Sequence, residues 1–273
     1  MTDAGEDVEC PTCAADPAGA YVYAIGSIAP RFPSLAIERE LMQATTRLDE
    51  TGLTDRQTLQ AVLSKRENRY LARRICWVFS VERVETYILT PRDPADLDLL
   101  IEALRPNPAP TDLDVVIGVR GPVAPPGMCG GLQLPMVAFD QLYSFDREAL
   151  VGSIPRPDGA SDKAFRPVAE ELLDRVLQLA GNAGTSDEHR ALNYLAMRSP
   201  AIYARTAEAV ARNQALSAVE TRPSTLGGAR NILDVVFTYR DRGNDGVEKA
   251  LVRVDVTEQF PFLTSRLAPY YDR

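Results

Sequence analysis

The stretch from Asp114 to Pro157, DVVIGVRGPVAPPGMCGGLQLPMVAFDQLYSFDREALVGSIPRP, constrains the fold more than any other part of the chain. It opens as an alternating strand, turns through a Pro/Gly segment that carries Cys129, and continues as a second apolar run. Phe139, Tyr143 and Phe145 follow, then a short helix capped by Asp146 and a proline-bracketed exit. Glycine supplies sharp turns and proline fixes φ, so this density of both between apolar segments specifies a tightly built junction.

The flanking sequence supplies elements on either side. Residues 1–20 are an acidic arm, and Tyr21 to Ile28, rich in β-branched and aromatic residues, reads as a buried strand. Leu35, Leu41, Met42, Thr45 and Leu48 fit a helical stripe that stops near Gly52, and Thr54-Asp55-Arg56-Gln57 has capping-box spacing. Cys76 to Thr90 is a strand with a slip near Arg83-Val84, the mark of a bulge or a tight bend. Asp93-Pro94 then opens a helix with Leu97, Leu100, Ile101 and Leu104 on one face.

Pro155 to Asp162 is proline, glycine and small polar residues, which is linker chemistry. The expected organisation is therefore α+β in two lobes: an N-terminal domain over 21–157 and a C-terminal domain over 158–273. In the second, helices come first: one from Val168 to Ala180, one opened by a Thr185/Glu188 capping box, and one at Ser199-Pro200. The runs Leu233/Val235/Phe237/Tyr239 and Val252/Val254/Val256, joined through RDRGNDG, read as an antiparallel hairpin.

Net charge is −8, and no basic stripe is present, which argues against nucleic acid or an anionic membrane as partner. No apolar run approaches the length of a membrane span, and the first ten residues are acidic where a signal peptide is basic. The expected location is cytoplasmic. Four cysteines do not make a disulfide scaffold at this length, and a reducing compartment leaves them as thiols or metal ligands.

Cys10-Pro11-Thr12-Cys13 is the strongest chemical signal. Two thiolates at this spacing hold half of a tetrahedral structural zinc site. A redox pair is the rival, but it needs a preceding strand and a helix at the first cysteine, and neither stands here; two free thiols in an arm are the third possibility. The remaining ligands could come from Cys76, Cys129 or His189, or from Cys10 and Cys13 of a second chain across a two-fold axis. Cys129 would need a base to act as a nucleophile, and His189 is the single histidine; a buried structural thiol is the plainer reading. Cys76, beside Trp77, reads as core. Neither a phosphate-cradling loop nor an acid–base pair of carboxylates is evident.

Longer strings carry a resemblance. Tyr21 to Ile28 (YVYAIGSI), Met128 to Leu132 (MCGGL), Phe139 to Asp146 (FDQLYSFD), Ser153 to Pro157 (SIPRP), Glu188 to Tyr194 (EHRALNY) and the closing hairpin together resemble the C-terminal domain of unknown function of PatG-type cyanobactin maturation proteases. That resemblance spans the chain from about Cys10 onward. It implies a place in pathways of ribosomally made, modified peptides, with a precursor peptide or peptide-modifying enzymes as partners. The subtilisin-like activity of those proteases does not carry over, because no Ser-His-Asp constellation is present and no catalytic residue is assigned. The reading is of a non-catalytic accessory module, zinc-stapled through Cys10 and Cys13 and dimeric. A stand-alone peptide-modifying enzyme using a metal or Cys129, and a purely structural dimerisation unit, are the alternatives.

Overall fold

Alternation on β1 (Tyr21–Arg31) sends Val22, Ala24 and Ile28 to one side and Tyr23 and Ile25 to the other, and both sides are buried. A strand covered on both faces needs a sheet wrapped around a core and a second layer outside it, and both are present. The computed structural model describes residues 21–48, 52–156, 161–177 and 181–271. β1 joins β2 (Cys76–Val81), β3 (Val84–Pro91), β4 (Leu113–Val123) and β5 (Pro135–Phe145) in a closed barrel of order β1-β2-β3-β5-β4. β3 and β5 run parallel and the other neighbours antiparallel. With a helix between β3 and β4, this is the strand order of the five-stranded OB-type Greek-key barrel.

Helices α1 (Leu35–Thr45), α2 (Asp55–Ser64) and α3 (Arg69–Arg74) are inserted between β1 and β2, and α4 (Leu97–Glu102) links β3 to β4. Their apolar faces bring Ile37, Leu41, Val62, Leu63, Leu71, Leu100 and Ile101 into one core with Trp77, Phe79, Leu89 and Phe139 of the barrel interior. The Thr54–Gln57 capping box forms as the spacing predicts, and Asp93 and Asp146 cap through Ala95 N–H and Glu148 N–H.

The rest of the chain is helices followed by strands, as expected. α5 (Arg147–Ser153), α6 (Asp162–Leu177), α7 (Asp187–Arg198) and α8 (Pro200–Ala211) precede β6 (Gln214–Pro223), β7 (Ile232–Asp241) and β8 (Val247–Asp255). The β7–β8 hairpin is antiparallel throughout. Two short strands, β9 (Phe262–Leu263) and β10 (Ala268–Tyr270), pair with β8 on its other side. Phe237, Tyr239, Val252 and Val254 form the apolar sheet face, and Phe165, Leu173, Leu195 and Tyr203 cover it. The architecture is therefore α+β with two sheets.

Local differences have local causes. Cys76 to Thr90 is a hairpin that has both features the slip allowed: a tight turn with Glu82 and Arg83 left-handed, and a bulge where the register shifts between Phe79 and Ser80. On α1, Ile37, Leu41 and Ala44 face the core with Leu48 beyond them, while Leu35 and Met42 are exposed, so the buried face shares only part of the expected stripe. Ser186 caps α7, accepting from His189 N–H, in place of Thr185. The acidic arm with Cys10 and Cys13, the domain boundary at 157/158 and the end of the helix expected to reach Ala180 lie outside the described residues. Among the described residues, no helix is long and apolar enough to cross a membrane.

Candidate functional site

The string Glu188 to Tyr194 builds a joint between the barrel and the second sheet. β1 pairs with β4 over residues 21–26 but with β2 only over 27–31. The unpaired edge at Tyr23 is taken up from beyond the barrel: its N–H donates to Gly184 O at 2.9 Å, and its carbonyl accepts from Asn193 Nδ2 at 2.8 Å. Asn193 is fully buried and pairs its amide with Asn182 as well. Tyr87 OH donates to Ala183 O at 2.8 Å, so the segment entering α7 is fixed to two strands.

Arg190 performs the same task on the other side. Its guanidinium donates to the carbonyls of Val256 (2.8 Å) and Glu258 past the end of β8 and lies over the Tyr21 ring at 5.2 Å. Burial opposes its charge while Asp187 supports it. Tyr194 meets Tyr23 edge-on, and burial pushes the Tyr23 phenol up to about 12, which leaves it a neutral donor. His189, in the first turn of α7, is half-buried; desolvation lowers its pKa and Glu188 partly restores it. The string is a structural seam.

Cys76 and Cys129 are brought together as a disulfide, with Cα atoms 5.5 Å apart across a sequence separation of 53. This overturns the expectation of free thiols, and it removes Cys129 as a nucleophile and both residues as thiolate ligands. The pairing follows from the barrel: Cys76 points outward at the start of β2, and the connection from β4 to β5 folds back over that outer face. Both cysteines line a cavity of about 500 Å³ with Ile75, Trp77, Ile88, Leu89 and Met128, and Arg73 stands as its charged wall residue. Barrels of this strand order take ligands on the β2–β3 side, between the β1–β2 and β4–β5 connections, and this cavity has that address. Fold alone assigns it no activity.

A second cavity, of about 680 Å³, lies between α8, β8 and β10. There Arg205 and Arg212 share the Glu248 carboxylate at 2.6 and 3.0 Å, and hydrogen bonds from Gln214 and Arg205 hold that carboxyl below its usual range. Among the described residues, no group of three or more His, Cys, Asp or Glu side chains is placed to hold a metal.

A closed barrel stitched by a disulfide and keyed through a buried Asn–Arg seam to a helix-backed sheet defines a two-lobed α+β protein. Residues 159–270 match the family described as PatG C-terminal. The whole architecture matches a solved structure titled PatG Domain of Unknown Function, with a TM-score of 0.73 and 20% identity, over 92% of this chain and 99% of that one. The resemblance read from the sequence strings therefore holds, and the shared fold extends through the barrel as well as the matched C-terminal part. No curated protein matches the chain.

Proposed function

We propose that this chain is an accessory binding module of a pathway that modifies ribosomally made peptides, working in the cytoplasm on a precursor peptide or beside a modifying enzyme. The observation that carries this reading is the fold shared with the PatG domain over nearly the whole chain. The disulfide supports a binding role over nucleophilic catalysis, since the sulfur of Cys129 is bonded to Cys76.

That bond also narrows the zinc proposal. Of the intrachain candidates for the two ligands missing beside Cys10 and Cys13, Cys76 and Cys129 are disulfide-bonded, which leaves His189 and a second copy of the knuckle. Four thiolates from two chains form a closed tetrahedral structural site, so zinc would join a homodimer there. Metal analysis with light scattering should find about one zinc per two chains. The Cys10→Ser, Cys13→Ser variant should lose the metal and dissociate. A monomer with a full equivalent of zinc would overturn the intersubunit site.

For the module itself, the pure protein incubated with a precursor peptide should retain it on gel filtration and leave its mass unchanged. A mass change that scales with protein would make the chain an enzyme.

A further inference from the structure

We propose that the Cys76–Cys129 disulfide is a redox-operated strap: its reduction frees the β4–β5 connection from the outer face of β2 and β3 and widens the cavity beneath. This goes beyond the peptide-pathway reading and stands or falls separately from it.

The connection from Ala124 to Leu134 lies outside the barrel, and its backbone hydrogen bonds close within itself. Ala124 N–H donates to Leu134 O (2.8 Å), Met128 N–H to Pro125 O (2.9 Å), Gly131 N–H to Met128 O (3.0 Å) and Leu132 N–H to Cys129 O (3.4 Å). What ties its tip to β2 is the sulfur–sulfur bond, helped by apolar contact of Met128, Leu132 and Leu134 in a small cluster with Ile88 and Met136. That cluster is separate from the barrel interior, where Trp77, Phe79 and Leu89 pack with the helices. Loss of the outer contacts therefore leaves the interior in place.

The tip is also held in a conformation it would leave. Cys129, Gly130 and Gly131 are successively left-handed, with φ of +53°, +67° and +90°. Glycine accepts this freely and cysteine does not, so a released tip relaxes at Cys129. The cavity gives a reductant its approach, since both cysteines line it.

The chemistry is a two-electron exchange with a dithiol. The dithiol's thiolate attacks one sulfur, and the other cysteine departs as a thiolate that takes up a proton. The second thiol of the dithiol then resolves the mixed disulfide, releasing the second cysteine as a thiol while the dithiol leaves as a cyclic disulfide. The strap is closed in the disulfide-bonded chain and open once the dithiol has taken the bond.

The test is hydrogen exchange on the whole folded chain, oxidised and after dithiothreitol, with alkylation and mass reading how many of the four cysteines are free. The Cys76→Ala, Cys129→Ala variant serves as a permanently open form. Amides of residues 126–133 should exchange about tenfold faster or more once the bond is open, while Trp77 to Phe79 and Tyr87 to Leu89 keep their protection. Three results would overturn the strap: a bond that resists dithiothreitol until the chain unfolds, tip exchange unchanged in fully reduced protein, or protection lost throughout the barrel together.

Discussion

Gly184→Ala and Gly181→Ala form a matched pair that isolates the seam. Both glycines are left-handed, at φ +75° and +73°. A methyl at Gly181 meets nothing within 4 Å, whereas at Gly184 it would stand 2.3 Å from the carbonyl oxygen of Tyr23. The left-handed backbone costs an alanine about 1 kcal/mol at either site. At Gly184 the added crowding displaces the segment from β1 and weakens the bond from Tyr23 N–H, for about 2–3 kcal/mol more. At this chain length those losses correspond to a fall in Tm of roughly 10 °C for Gly184→Ala against roughly 3 °C for Gly181→Ala. Thermal melts should be read by far-UV circular dichroism and by the fluorescence of Trp77, the single tryptophan, buried in the barrel. Equal losses in the two variants would refute the seam as the source of the cost.

The other expectations concern the same joint. Asn193→Ala removes the side-chain donor from the Tyr23 carbonyl and from Asn182 Oδ1, while Asn182 Nδ2 keeps its bond to Val176 O, a loss of about 2–3 kcal/mol in urea denaturation; Asn193→Asp should lose more, because a carboxylate then faces that carbonyl. His189 has its pKa lowered in the folded chain, so below about pH 6.5 the unfolded chain binds a proton that the folded one refuses. Stability should be flat in this residue above that pH, fall as pH drops toward the folded pKa, and lose that slope in His189→Gln. The imidazole resonance of this sole histidine should titrate below 6.5.

What the sequence made legible was whatever a few neighbouring residues decide. The β7–β8 hairpin shows its alternation, and Thr54/Gln57, Asp93-Pro94 and Asp146 show their caps, because each is a short-range hydrogen-bond pattern. β6 was not legible: a register shift between Leu216 and Ala218 interrupts the alternation that would reveal a strand. Barrel closure depends on β1 finding β4 and β3 finding β5, and nothing local in either strand specifies a partner so far along the chain. The disulfide was hidden for the same reason, since its two cysteines become neighbours only once the barrel closes. The Glu188–Tyr194 string stood out as a motif, but its residues point at backbone carbonyls, and a sequence does not display those targets.

The Tyr23–Asn193 bond spans 170 positions, and that span has a consequence for how the protein is made. The first described strand leaves the ribosome long before the residues that finish its edge. Until α7 arrives, Tyr23, Ile25, Val115 and Ile117 present an apolar stripe to water on the outside of the barrel. A nascent chain paused before α7 is thus a sticky intermediate, and a gene cut in the connection between the two sheets yields two fragments that each lack the other's surface. The strand that opens the barrel is therefore complete only when the chain beyond α7 has been made, and the two sheets are expected to fold as a single unit.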